Sequence, residues 1–451
     1  MVPVPFQGRT CLAIILAAGG SSRMPSARPK VLHELAGRSM LSHVLSSLVE
    51  AGAERTVVVA GPNNEAVMVE AKTIVRDAEI AIQTERLGTA HAVLAARDAI
   101  ARGYDDLLVV FADTPLVRPE TFAAMRKALA GGQNAIAALG FEASEPVGYG
   151  RFILEDGALK AIREDRDASA AEREIKICNA GLMALDGRQA LAILDAIGNA
   201  NSQKEYYLTD AVAVARSRGL AVSAAITAED EVLGVNDRAQ LAAAESILQA
   251  RLRAKAMLEG ATLIDPSSVT LAFDTRLGRD VVVEPHVVFG PAVSVGEGSR
   301  VRAFSYLEGA TIGQNVSVGP FARLRRGTSL AEDVHIGNFV EVKAAVIGAG
   351  AKINHLSYIG DASIGARTNV GAGTVTCNYD GFSKYRTEVG AQAFIGSNSA
   401  LVAPVKIGDG AYVGSGSVIT QDVAQDALAL GRARQIEKPG WARSFRERIR
   451  K

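Results

Sequence analysis

VGAQAFIGSNSALVAPVKIGDGAYVGSGSVI, residues 389–419, returns to an aliphatic residue at every sixth position: Val389, Ile395, Leu401, Ile407, Val413 and Ile419. Glycine follows most of them. A hexapeptide period of this kind puts one aliphatic side chain inward per short strand, turns on small residues and closes a three-sided coil every three repeats. Working outward towards the N-terminus, the same register holds at 364 and 370, at 347, 353 and 359, at 312, 318, 324, 330, 336 and 342, and, after a five-residue step, at 277, 283, 295, 301 and 307, with Phe289 in register. The last third of the chain is therefore predicted to be a parallel β-helix. The period is lost between Val370 and Val389, across Thr376-Cys377-Asn378-Tyr379-Asp380-Gly381-Phe382-Ser383-Lys384-Tyr385, where a loop should project. Such an insertion is either a tolerated surface loop or part of a binding face.

Upstream of the repeats, residues 236–258 are alanine-rich with leucine and isoleucine at helical spacing, and Gly260, Asp265 and Pro266 end the pattern. This reads as a linker helix and divides the chain into domains at 1–235 and 261–451, with the linker at 236–260. From Cys11 to about Phe141, short apolar runs such as Leu12–Leu16, Thr56–Ala60 and Leu107–Phe111 alternate with amphipathic stretches. Alternation of that kind predicts an α/β, Rossmann-like domain with a mainly parallel, doubly wound sheet, whose ligands bind at strand carboxyl ends.

Composition narrows the partners. Lysine plus arginine and aspartate plus glutamate number 49 each among 451 residues, so no global charge draws the chain to nucleic acid or an anionic membrane. The basic tail Arg432, Arg434, Lys438, Arg443, Arg446, Arg448, Arg450 and Lys451 reads as a solvated end. Cys11, Cys178 and Cys377 are odd in number and far apart, which argues against a disulfide framework or a Cys-based metal site and fits a reducing cytoplasm. The apolar segment from Cys11 to Gly20 has only Arg9 as a preceding positive charge and reads as a buried strand rather than a signal sequence.

That first strand runs into Leu16-Ala17-Ala18-Gly19-Gly20-Ser21-Ser22-Arg23-Met24, with Lys30 seven residues beyond Arg23. Small residues let backbone N–H groups approach a phosphate chain, and Arg23 and Lys30 can neutralise transferring phosphates. The Gly-Lys-Ser/Thr ending of a Walker A loop is missing. An ordinary strand-to-helix turn remains an alternative. Asp113, just after the apolar run ending at Phe111, reads either as a turn residue before Pro115 or as a carboxylate delivered to the crevice. Asn236 reads from its position as a helix N-cap. In the coil, His355 stands two residues after inward Ile353 and should point outward, as a solvated surface residue or as a base.

Leu-Ala-Ala-Gly, Ser-Arg-Met and Pro29-Lys30-Val31-Leu32 resemble the signature of sugar-1-phosphate nucleotidyltransferases, and Gln83, Leu87-Gly88-Thr89-Ala90, Ala112-Asp113-Thr114-Pro115-Leu116, Gly148-Tyr149-Gly150-Arg151, Glu164, Asn179-Ala180-Gly181 and Gly234-Val235-Asn236 continue it in order. With the β-helix behind, residues 10 to 440 resemble the bacterial bifunctional N-acetylglucosamine-1-phosphate uridyltransferases and glucosamine-1-phosphate acetyltransferases. The resemblance implies a left-handed coil, a homotrimer, and UTP, glucosamine-1-phosphate and acetyl-coenzyme A as small-molecule substrates, the product feeding cell-wall precursors. It places Leu16, Ala17, Ala18, Gly19, Gln83, Gly88 and Thr89 on UTP, Gly150, Glu164 and Asn179 on the sugar, and Asp113 with Asn236 on Mg²⁺. Lys30 and Arg23 would neutralise charge on the phosphates. In the coil it makes His355 the base. Arg325, Lys343, Tyr358, Asn369, Asn378 and Tyr379 would bind the amino-sugar phosphate, and Ala372, Ser397, Ser415 and Arg432 coenzyme A.

Ser21 and Ser22 stand where the family usually has glycine and threonine, Phe111-Ala112 where it has Tyr-Gly, and Ser415 where it has alanine. The competing expectations are a nucleotidyltransferase for another sugar phosphate with a merely structural coil, and a nucleotide-binding scaffold without turnover.

Overall fold

The structure is a computed structural model that describes residues 8–20 and 23–450. The departures at Ser21 and Ser22, and Lys451 of the tail, lie outside the described residues. Two compact units divide between Leu248 and Gln249.

In the first unit, β1 (Cys11–Leu16), β2 (Arg55–Ala60), β3 (Glu79–Ile82), β4 (Asp106–Phe111), β5 (Asn134–Glu142), β6 (Arg151–Glu155), β7 (Ala158–Arg163), β8 (Ile177–Asp186) and β9 (Ala221–Thr227) form one sheet. Its order is β9-β5-β8-β4-β1-β2-β3, with β6 beside β8 and β7 beside β6. Pairs β1–β2, β2–β3 and β1–β4 are parallel, as the alternating pattern predicts, while β8 runs antiparallel between β4 and β5. The segment from Cys11 is the buried centre of this sheet: Cys11, Ala13 and Ile15 enter one core and Leu12, Ile14 and Leu16 the other. A strand buried on both faces needs this unbroken apolar run. Its carboxyl end at Leu16 lies in register with Phe111, the end of β4, so the residues following both strands meet at one edge.

The second unit is three parallel sheets in which each short strand pairs with the one a full coil later. Val301, Val318, Ile336, Ile353, Val370, Ile395 and Val413 stack in one such ladder. The register residues from Val283 to Ile419 are no more than 6% exposed. Burying each aliphatic side chain contributes about 1.5–3 kcal/mol, which makes the stack the principal source of cohesion. The fold is the left-handed β-helix of hexapeptide repeats, with the N-terminal α/β sheet before it.

The period persists further than the sequence pattern shows. Strand Val375–Cys377 continues the coil, and Thr376, expected in the loop, is fully buried at the inward position that aliphatic residues fill in other repeats. Its hydroxyl accepts from the Gly360 N–H at 2.8 Å and donates to the Gly360 carbonyl at 3.0 Å, which is why a polar residue is tolerated there. The projecting segment is thus 378–386, pinned by the Asp380 carboxylate accepting from the Phe382 and Ser383 N–H groups at 2.8 and 2.7 Å.

The predicted linker is helix Arg238–Leu258. Leu241, Ala244, Ile247 and Leu248 pack with Met24, Leu35, Met40, Leu116 and Val235 in the first unit. In the second, the Gln249 side chain exchanges hydrogen bonds of 2.6 and 2.9 Å with the Leu271 backbone. The division between the two units falls inside this helix. Among the described residues, no helix is long and apolar enough to cross a membrane. The three cysteines are free.

Candidate active sites

At the carboxyl edge of β1 and β4, Leu16, Ala17, Ala18, Gly19, Lys30, Gln83, Gly88, Thr89 and Asp113 line one open cleft. Gly88 has φ +115°, and a Cβ there would lie 2.5 Å from the Tyr206 carbonyl oxygen, so only glycine lets the loop cross this close. The Gln83 amide donates to the Gly88 carbonyl at 3.3 Å, and Thr89 Oγ1 accepts from the Leu208 N–H at 2.9 Å. Both loops are held before any ligand arrives.

Lys30 is 8% exposed, and its ammonium is hydrogen-bonded to the Asp113 carboxylate and, at 3.0 Å, to Asn236 Oδ1. Two oxygens distant in sequence converge on one positive charge. The helix N-cap reading of Asn236 gives way to this arrangement, because Asp237 takes that role: its carboxylate accepts from the Gln240 N–H at 2.8 Å. The turn reading of Asp113 holds beside its place in the cleft: the residue lies in the turn after β4, where Thr114 Oγ1 donates to the Phe111 carbonyl at 2.9 Å.

A second cleft shares Thr89, Phe111 and Asp113 with the first and adds Gly150, Glu164 and Asn179. Glu164 accepts from Thr209 Oγ1 at 2.9 Å. Burial raises the Glu164 carboxyl above the ordinary glutamate value, the threonine opposing in part. Arg23 does not line the Lys30 cleft; it faces Gly148, Glu164, Arg166 and Tyr207 in a third hollow. Sequence reading missed Arg86 and Glu205 in the first cleft and Thr209 in the second. Arg86 was accessible, since it lies in the same short loop as Gln83 and Gly88.

In the coil, Asn338, His355, Ala372, Ser397 and Ser415 each stand two residues past the stacked Ile336, Ile353, Val370, Ile395 and Val413. They form one column along a corner. At about 4.8 Å per coil, His355 and Ser415 are roughly 14 Å apart. His355 is exposed, as predicted, and its Nδ1 lies 2.7 Å from Asn338 Oδ1. Arg432 lies exposed past the last coil.

Around that corner, on the next sheet, Glu341 stacks with Tyr358, and Arg325 and Lys343 follow the stacked Leu324 and Val342. Arg325 pairs with Glu341 at 2.9 Å and Lys343 with Asp361 at 3.6 Å. The Asn378 amide donates to Asp361 and, at 3.4 Å, to the Tyr358 hydroxyl, so the projecting segment begins at this cluster. Tyr379 is exposed. Lys343 and Lys384 share a hydrogen bond that raises the first and lowers the second from the ordinary lysine value, with Asp361 also supporting the Lys343 charge. Asn338, Glu341, Asp361 and Lys384 were missed. Asn338 had a signal, since it is one coil, 17 residues, before His355 at the same position of the repeat.

Residues 13–177 match the MobA-like NTP transferase domain, and residues 386–421 match the bacterial transferase hexapeptide, six repeats. The chain is 61% identical to the bifunctional protein GlmU of Azorhizobium caulinodans over 438 residues, 97% of this chain and 98% of that protein. It is 62% identical to that of Xanthobacter autotrophicus with the same coverage, and 52% identical to that of Agrobacterium fabrum across 98% of this chain and 97% of the relative. A solved UDP-glucose pyrophosphorylase complexed with UDP-glucose is 19% identical, with TM-score 0.40 over 46% of this chain and 88% of that one. Identity above half along almost the whole length, together with both matched domains, means that this chain belongs to the bifunctional GlmU family, enzymes with an acetyltransferase and a uridyltransferase activity.

Proposed function

We propose that the coil transfers an acetyl group from acetyl-coenzyme A to the amine of glucosamine-1-phosphate, and that the N-terminal sheet then condenses N-acetylglucosamine-1-phosphate with UTP, giving UDP-N-acetylglucosamine and pyrophosphate. The observation that carries this reading is the presence on one chain of two complete polar sites. One is a lysine gripped by a carboxylate and an amide at a strand-end cleft. The other is an outward imidazole beside a cluster of cations on a repeat corner.

At the uridylyl site, the sugar phosphate attacks the α-phosphorus of UTP in line, and pyrophosphate leaves. Positioning and charge neutralisation carry such a reaction. The loop from Leu16 to Gly19 with Gln83, Gly88 and Thr89 holds the nucleotide, and Gly150, Glu164 and Asn179 hold the sugar. Lys30 offsets charge on the phosphates. Asp113 and Asn236 fit Mg²⁺, because both present hard oxygens that already reach one cation, the Lys30 ammonium. Bound there, the ion would offset phosphate charge as the bond to pyrophosphate breaks.

At the acetyl site, His355 takes a proton from the amine as its nitrogen attacks the thioester carbonyl. The C–S bond then breaks, and the thiolate leaves and is protonated. Arg325, Lys343 and Tyr358 receive the phosphate, a task suited to paired cations. Asn369, Asn378 and Tyr379 steady the amino sugar. Ala372, Ser397 and Ser415, with Arg432 beyond, line the column for coenzyme A.

A homotrimer with acetyl sites shared between neighbouring chains fits a stack of rings left in water: His286, Phe304, Phe321 and Phe339, 4.9, 5.0 and 5.2 Å apart. Phe304, Phe321 and Phe339 are each about half exposed. A cytoplasmic location suits three free cysteines.

The test is thiol release with acetyl-coenzyme A and glucosamine-1-phosphate, run beside pyrophosphate release with UTP and N-acetylglucosamine-1-phosphate. His355→Ala should abolish the first, by roughly 10²-fold or more, and leave the second intact. Absence of both products from the wild-type protein would overturn the reading, and parallel loss in the variant would overturn the independence of the two sites.

A further inference from the structure

We infer that Asn338 is the positioning residue of the acetyl site, fixing which nitrogen of His355 acts as base. The inference rests on the proposed role of His355. A neutral imidazole carries one N–H, and the hydrogen bond made by the other nitrogen decides which one that is. Asn338 Oδ1 lies 2.7 Å from Nδ1. An amide oxygen only accepts, so the ring proton sits on Nδ1 and the lone pair on Nε2. When Nε2 takes the amine proton, the ring becomes an imidazolium and the Nδ1–H···Oδ1 bond becomes charge-assisted. Asn338 thus stabilises the protonated state the reaction passes through, and it does so without touching substrate.

The fold enforces this contact. Strands His335–Asn338 and Lys352–His355 are longer than most in the coil, and their register places Asn338 directly against His355. They approach so closely at Gly337 that a Cβ there would lie 1.9 Å from the Asn354 carbonyl oxygen. The corner is tied by the Leu356 N–H to the Asn338 carbonyl at 3.1 Å. The His355 carbonyl accepts from the Gly373 N–H at 3.2 Å and from Ser357 Oγ at 2.8 Å. With its backbone fixed above and below, the ring keeps its orientation through the Asn338 amide.

The titratable groups on the strands packed with His355 are Lys352 on its own strand and His335 on the strand of Asn338; strand Asn369–Val370 beyond contributes Asn369 and no charge. None of these three strands carries a carboxylate. The nearby acid Glu341 belongs to the next sheet and is paired with Arg325. A neutral partner adds no charge beside the imidazole, whereas a carboxylate at position 338 would hold the ring proton more tightly.

The experiment uses the full chain with two substitutions, read by thiol release across pH and by uridylation as a control. Asn338→Leu should lower acetyl-transfer kcat roughly 10- to 100-fold, part of the ~10²–10⁴ a positioned base supplies, with both KM values and uridylation little changed. Asn338→Asp keeps an acceptor and adds charge, so the acid limb of kcat/KM should move about one unit or more to higher pH, with activity recovering in alkali. A purely structural asparagine would not move that limb. Wild-type kcat in Asn338→Leu, a loss confined to KM, or an unmoved acid limb in Asn338→Asp overturns the inference. If His355→Ala retains acetyl transfer, the underlying role of His355 fails instead; if His355→Ala is inactive while both Asn338 variants match wild type, only the inference fails.

Discussion

Replacing Lys30 by methionine keeps the length of the side chain and removes one positive charge. In the free protein the ammonium joins the Asp113 carboxylate and, at 3.0 Å, Asn236 Oδ1. Stripping the partner from a fully buried carboxylate costs about 3–5 kcal/mol, but the Asp113 side chain is 22% exposed and can be rehydrated, so the fold should lose only about 1 kcal/mol. The reaction should suffer more. As the α-phosphorus is attacked, charge grows on phosphate oxygens within a cleft lined by Leu16, Val31 and Phe111, where a preorganised cation has little competition from solvent. Removing one such group costs about 2.7–4 kcal/mol of barrier, roughly 10²–10³ in kcat. Pyrophosphate release should therefore fall by that factor with the KM for UTP changing less, while thiol release by the same preparation stays at the wild-type rate. Uridylation within about threefold of wild type would refute the role of Lys30. An equal fall in thiol release would show that the substitution acts through the fold.

Two further outcomes follow from the electrostatics of buried groups. The Glu164 carboxyl is raised by burial, so the protonated state is favoured in the fold and stability is lost as pH rises from the ordinary glutamate value through the raised one. Glu164→Gln should melt above wild type at neutral pH and match it in acid, while the KM for N-acetylglucosamine-1-phosphate rises roughly 10-fold; an unchanged KM would remove Glu164 from the sugar site. His43 is depressed from 6.5 to about 4 by burial, and its Nε2 lies 2.9 Å from the Leu35 carbonyl. The unfolded chain protonates this histidine first, so stability present above about pH 6.5 is lost as pH falls towards 4, by up to roughly 2 kcal/mol at pH 5. Denaturant unfolding of wild type and His43→Gln at the two pH values measures it, and parallel losses in both proteins would refute the assignment.

The coil was legible because its register is local: each inward residue is announced six positions in advance, and stacking of identical units is the only way to bury them all. Thr376 escaped because its signal is hydrogen-bonding rather than hydrophobic, and the groups that satisfy it belong to Gly360, a whole coil earlier. In the N-terminal sheet the parallel strands around β1 followed from their apolar runs. The antiparallel insertion of β8 did not, since an apolar run carries no mark of its direction.

The sites divide the same way. Backbone-shaped elements such as the Leu16–Gly19 loop and Gly88 can be recognised in a linear pattern, because glycine marks where the chain must turn or approach closely. Pairings between distant side chains cannot. Lys30 and Asn236 are 206 residues apart, and until the fold joins them, each has a sufficient local explanation as a solvated cation or a helix cap. A repeat protein converts part of that problem back into arithmetic. Once Ile336 and Ile353 are known to stack, positions 338 and 355 must stack as well, so the partner of an outward histidine can be found by counting back one coil. That reasoning needs only the register, and it reaches the residue that governs the proton on His355, which a motif search centred on the histidine passes over.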